Sequence, residues 1–143
     1  MTKVQFKGEN RYLNYSVGVM IEVNRQYGSL DDFLEKLNSA ESTDEGFDAF
    51  RFAFVMMAND AEQKIEHDGY ERLAPISLDD LPKQLQPMVF VRLWNAVVEE
   101  INTAYDHEYT EEEQKEIDLG LAEIRKKKES PVNSTERNII TSD

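Results

Sequence analysis

The sequence contains no cysteine. That excludes disulfides, thiol nucleophiles and cysteine-based zinc or iron–sulfur sites, and it fits a reducing compartment. Long apolar runs are also missing. The longest, Phe52 to Ala58, has seven residues, against about 20 for a membrane-crossing helix. The opening stretch Met1-Thr2-Lys3-Val4-Gln5-Phe6-Lys7 lacks the apolar segment of a secretory signal, so the expectation is a soluble, unexported protein. Cations are scarce: 16 Lys and Arg stand against 29 Asp and Glu, a net charge of −13. Such a chain has no broad basic face for a phosphate backbone and is repelled by anionic membranes. Neither nucleic acid nor membrane is therefore an expected partner. The six glycines stand singly, which leaves no glycine-rich phosphate loop.

What is present suits a folded domain. In 143 residues, 40% are hydrophobic and 31% charged, enough to build one core and too apolar for wholesale disorder. The expected fold class is mainly α (α+β): a small N-terminal β-hairpin packed on a four- to five-helix domain, with a disordered C-terminal tail. The domain spans 1–129 and the tail 130–143.

Residues 3–7 and 11–15 alternate weakly around Gly8-Glu9-Asn10, which reads as a hairpin with a three-residue turn. Ser16 is placed to cap a helix to Tyr27, with Val17, Met20 and Ile21 as its apolar stripe and Gly28 at its end. Ser29 caps the next helix, whose first turn carries Asp31 and Asp32 and whose stripe is Phe33, Leu34 and Leu37. Asn38 to Glu45 reads as a polar loop. Phe47, Phe50, Phe54, Met57, Ala58, Ala61 and Ile65 recur every three or four residues, and Phe52, Val55 and Met56 fill other faces. A helix apolar on most sides is a buried one, ending near His67-Asp68-Gly69.

Ser77-Leu78-Asp79-Asp80 repeats the Ser29-Leu30-Asp31-Asp32 pattern, but the residues that follow do not agree, so convergent capping explains it better than an internal repeat. Pro87 opens another helix with Phe90, Trp94, Val97, Ile101 and Tyr105 as its stripe. This helix (87–105) and the one at 46–67 are the expected central pair. Thr110 with Glu113 forms a capping box for a last helix at 111–128. Its apolar content is thin, and Gly120 interrupts it at a cost of about 1 kcal/mol relative to Ala. It is expected to be held loosely.

No chemistry converges on these residues. Glu66-His67-Asp68 and Asp106-His107-Glu108 each offer about one metal ligand, because neighbouring helical residues point 100° apart, whereas a site needs three or four. Both triplets read as solvated helix ends, and no metal site is expected. A lone His-Asp pair lacks the partners of a phosphohydrolase centre. There is no nucleophile elbow, and Ser29 and Ser77 are explained as caps. Asp106-x-Glu108 lacks the glycine and closing glutamate of a calcium loop. Asn133-Ser134-Thr135 matches a glycosylation acceptor, without the signal peptide that would give it meaning. Trp94 reads as a core anchor, and Arg125-Lys126-Lys127-Lys128 as stabilisation of a helix C-terminus. No catalytic residue and no cofactor is assigned.

The order of elements adds a resemblance. A small hairpin leads to a helix ending in Tyr27-Gly28, followed by Ser29-Leu30-Asp31-Asp32-Phe33-Leu34. With Val23-Asn24-Arg25-Gln26 before it, and Glu116-Ile117-Asp118-Leu119-Gly120-Leu121-Ala122-Glu123-Ile124 late in the chain, this layout resembles the small tail assembly chaperones of long-tailed bacteriophages and prophages. The resemblance covers most of residues 3–128 in layout and includes no catalytic or ligand signature. It implies a non-enzymatic protein that binds the tape-measure protein, keeps its hydrophobic helices soluble, helps recruit tail tube subunits and leaves before the tail is finished. Its place would be the cytoplasm of the bacterial host, outside the finished virion. Many members also exist in a longer frameshifted form, for which the codons of Lys126-Lys127-Lys128 would be diagnostic.

On that reading the amphipathic last helix offers Ile117, Leu121 and Ile124 to a partner, while the acidic body keeps the complex soluble. Oligomeric state stays open. The alternative is an acidic DNA mimic that inhibits a nuclease or repressor. The charge count favours it; the mixing of acids with Lys and Arg along the chain does not.

Overall fold

The structure, a computed structural model, describes residues 1–106 and 111–124, the side chains of 114 and 122–124 excepted. The described residues form two compact units, 1–62 with 74–106 and 63–73 with 111–124. The fold class is as expected: a mainly α chain with an N-terminal antiparallel hairpin.

In the first unit, β1 (Thr2–Phe6) pairs with β2 (Glu9–Leu13), with Thr2 opposite Leu13 and Phe6 opposite Glu9. The hairpin therefore closes over two residues, not the three expected at Gly8-Glu9-Asn10. Lys7 (φ 53°) and Gly8 (φ 80°) both take left-handed backbone, the type I′ geometry that matches strand twist. The sequence hid it because Lys7, an ordinary side chain, occupies a position usually given to Asn or Asp. Thr2, Val4 and Phe6 face inward and Lys3 and Gln5 outward, and the hairpin packs on α4 (Pro87–Asp106).

Ser16 caps α1 (Val17–Tyr27), its hydroxyl accepting from the Val19 N–H at 3.3 Å. Gly28 (φ 91°) closes the helix by donating to the Asn24 carbonyl. Ser29 caps α2 (Leu30–Leu37), accepting from the Asp32 N–H at 3.0 Å. The long α3 (Asp44–His67) starts earlier than the expected 46. Thr43 supplies the cap, its hydroxyl accepting from the Gly46 N–H at 2.9 Å. Gly46 is there for space: a Cβ would lie 2.4 Å from the Ser39 carbonyl carbon and oxygen.

The core of this unit gathers Leu13, Phe33, Leu37, Phe50, Phe54, Met57, Leu81 and Leu93. Burying each such side chain contributes about 1.5–3 kcal/mol. As expected, α3 and α4 meet at the centre. The Phe50 and Phe90 rings are 4.9 Å apart edge to face, and Phe6 from the hairpin lies 5.2 Å from Phe54. Trp94 anchors α4 on α2, donating its indole N–H to the Leu37 carbonyl at 3.0 Å. The Ser77 repeat is a cap of a single 3-10 turn, Leu78–Asp80, whose Asp80 carboxylate accepts from the Ser77 N–H at 2.9 Å.

One polar residue belongs to the buried face of α4. Glu100 is 2% exposed. It accepts from the Thr2 hydroxyl at 2.8 Å and from the Tyr15 N–H at 3.0 Å, tying both ends of the hairpin segment to the helix.

The second unit combines the end of α3 and the chain after it with α5 (Glu111–Ile124). Gly69 (φ 96°) and Tyr70 close α3 by donating to the carbonyls of Glu66 and Ile65, a Schellman-like end. Ile65 and Leu121 are buried in this unit. The Tyr70 hydroxyl is held above its ordinary pKa by burial, then by the nearby Asp118 and Asp68 carboxylates. Burial of Leu121 shows α5 better held at that position than its thin apolar content suggests. Thr110, the basic cluster at 125–128 and the tail from 130 lie outside the described residues.

Candidate functional site

The apolar pattern of α1 contains two pairs spaced by four residues, Val17 with Ile21 and Val19 with Val23. One helix face can turn inward, and the structure buries the second pair: Val19 and Val23 are 2% and 0% exposed. Val17 and Ile21, members of the apolar stripe expected from the sequence, are 67% and 46% exposed. Met20 is half-buried between the two pairs.

The expected stripe of α4 holds at Val97 and Ile101 and fails at its end. Its buried residues are Leu93, Ala96, Val97, Glu100 and Ile101. Tyr105, expected as the last core member, is 46% exposed. The Tyr105 ring packs 5.4 Å from that of Tyr15, and the two hydroxyls lie 3.1 Å apart. Burial, then the Tyr105 hydroxyl, raise the Tyr15 pKa well above the ordinary tyrosine value.

A shallow apolar hollow of about 110 Å³ is lined by Tyr15, Ser16, Val17, Met20, Ala104 and Tyr105. That is well below the roughly 300 Å³ of a small-molecule pocket and suits an inserted side chain. Its surroundings are acidic. Asp60 accepts from Ser16 at 2.9 Å and from Asn14 at 2.7 Å. Glu22 follows Ile21 and is paired with Arg25. Asp106 follows Tyr105, and the last turn of α4 carries no basic residue to balance its carbonyls.

A second hollow, about 250 Å³, is lined in part by Phe47, Leu85, Pro87 and Phe90. Lys83 lies on its edge and donates to Asp44 at 2.7 Å. The Asp44 carboxyl is held below the usual range by that hydrogen bond and charge.

Of the residues proposed from sequence to meet a partner, two have described side chains. Leu121 is 1% exposed and Ile117 half-buried, and the side chain of Ile124 lies outside the described residues. The exposed apolar residue of α5 is Leu119, at 65%. His67 stands in solvent, 89% exposed, 3.7 Å from Asp68; His107 lies outside the described residues. Ser29 and Ser77 act in caps. Among the described residues no group of three His, Asp or Glu side chains is placed to hold a metal ion. No described helix is long and apolar enough to cross a membrane.

Sequence reasoning missed the α1–α4 hollow, although a signal was present. Two apolar pairs on one short helix exceed what one buried face uses, so one of them had to be left out.

Comparison with family models, with curated proteins and with solved structures returns no match to this chain.

Proposed function

We propose that the chain is a tail assembly chaperone of long-tailed bacteriophages or prophages. In this reading it binds the tape-measure protein, helps recruit tail tube subunits and catalyses no reaction. It works without a cofactor in the bacterial cytoplasm and is absent from the finished virion. The layout resemblance over most of residues 3–128 suggests the family. One structural observation carries the binding role: Val17 and Tyr105 remain exposed while lining an apolar hollow, and Ile21, one turn along α1 from Val17, is exposed as well. Exposed apolar clusters with a polar rim mark protein contacts. The net charge of −13 gives a complex with a hydrophobic client the repulsion that keeps it dispersed.

The test is co-expression with the long coiled-coil protein encoded downstream, followed by pulldown and a solubility assay. A client that becomes soluble and co-purifies is the expected result. A client that stays insoluble and unbound removes the reading and turns attention to competition with DNA for a nuclease or repressor.

A further inference from the structure

We infer that the α1–α4 hollow is the docking surface for an amphipathic helix that carries basic residues beside its apolar stripe. The inference rests on the reading that this chain binds a helical client, and it moves the contact from α5 to the first unit.

Shape comes first. Val17 and Met20 of α1 line the hollow with Ala104 and Tyr105 from the end of α4, and Ile21 lies one turn along α1 from Val17. A ridge of two aliphatic side chains beside a one-side-chain hollow matches the i, i+3, i+4 spacing of a helix laid into a groove. Tyr105 already has half its surface covered and an aromatic neighbour at 5.4 Å. It is therefore an ordered aromatic anchor, which loses little entropy when covered.

Charge decides the occupant. Asp60 sits at the α1 end and Asp106 beyond Tyr105, while the C-terminal carbonyls of α4 add partial negative charge. Along α1 itself Glu22 and Arg25 pair and cancel. A second copy of this chain would bring a like-charged rim and a second net charge of −13 against the first. A helix with Lys or Arg flanking its apolar stripe would meet complementary charge at the same positions.

The test uses the full ¹⁵N-labelled chain at physiological salt and three synthetic peptides. These are an amphipathic Leu/Lys helix, the same helix with Glu in place of Lys, and a scrambled Leu/Lys peptide of identical composition. The expected result is that the Leu/Lys helix binds and moves the amide signals of Val17, Met20, Ile21, Ala104 and Tyr105. The Leu/Glu and scrambled peptides do not bind, and Val17→Asp weakens the Leu/Lys affinity by about tenfold or more. Val17 is two-thirds exposed, so this variant keeps the fold; Ile21→Asp repeats the reading at a second position. Shifts spread over the acidic surface, equal binding of the scrambled or Leu/Glu peptide, an unchanged affinity in both variants, or dimerisation through this face in sedimentation would each overturn the inference. The co-expression experiment fails separately, because it reads the wild-type chain, whereas the docking surface is read from the difference between Val17→Asp and wild type.

Discussion

The Asn59 side chain pairs with the backbone of Ile76 in both directions. Its Oδ1 accepts the Ile76 N–H at 2.9 Å, and its Nδ2 donates to the Ile76 carbonyl at 2.9 Å. One side chain on α3 thus acts as a strand partner for an extended segment 17 residues later. The segment has a second tie, from the Arg11 guanidinium to the Ala74 carbonyl at 2.8 Å.

Asn59→Ala should therefore destabilise by about 1–3 kcal/mol, because it leaves two backbone groups short of a partner in a partly buried place. Asn59→Asp keeps the acceptor and loses the donor, and should cost as well. Urea denaturation checks both.

The glycines of α1 and α3 should respond in opposite directions. At Gly46 a Cβ meets the backbone of Ser39 at 2.4 Å and of Ala40 at 2.7 Å. Gly46→Ala should cost about 1–3 kcal/mol, more than the gain in helix propensity. At Gly18 the nearest contact is 3.6 Å, to the Ser16 hydroxyl, and Gly18→Ala should stabilise by about 0.4–1 kcal/mol. Thermal midpoints of the two variants give the signs.

Acid should loosen the joint between the hairpin turn and the 3-10 turn. The Asp80 carboxyl is held below its ordinary pKa, first by the Ser77 N–H and then by Lys7, whose ammonium is 2.9 Å away. A lowered folded pKa stabilises above the unfolded value of about 3.9 and loses that stability as pH falls through the folded one. Urea midpoints should drop below about pH 4. In Asp80→Asn that acid-side drop should shrink.

Base should act through the tyrosines. Tyr15 and Tyr27 are both raised above the ordinary value, each chiefly by burial. Their neutral forms are favoured by the fold, so stability is full below the unfolded pKa of about 10 and falls as pH rises beyond it. Absorbance titration should show these phenols ionising late, and Tyr15→Phe should soften the loss of stability above about pH 10.

On α5, Leu121 and Leu119 should separate folding from exposure. Leu121 is 1% exposed and Leu119 65%. Leu121→Ala should cost about 2 kcal/mol or more and Leu121→Glu still more, because it buries a charge. Leu119→Glu should stay within about 0.5 kcal/mol of wild type. Circular dichroism with denaturant titration reads all three.

Much of the fold was legible because it is written in local chemistry. Ser16, Gly28, Ser29 and Pro87 mark helix ends whatever lies nearby, and the three-to-four-residue recurrence from Phe47 to Ile65 identifies a buried helix. The errors have equally physical sources. Lys7 in left-handed backbone gives no compositional signal, so the turn was read one residue late and one residue long. Glu100 is polar and buried, and a pattern built on apolar positions passes over it. The α1 stripe was assigned by spacing, and spacing cannot tell Val17 and Ile21 from Val19 and Val23.

The sequence by itself determined which segments become helix and hairpin, to within a few residues at their ends, and the strong negative charge. These follow from backbone propensity, capping and ionisation, which act over a few residues. Only the tertiary structure decided which side of α1 faces inward and where the buried face of α4 ends. That choice depends on neighbours far apart in the chain: Phe90 against Phe50, Glu100 reaching Thr2, and Trp94 reaching the Leu37 carbonyl. It buried Leu121 and left Val17, Ile21 and Tyr105 in contact with solvent.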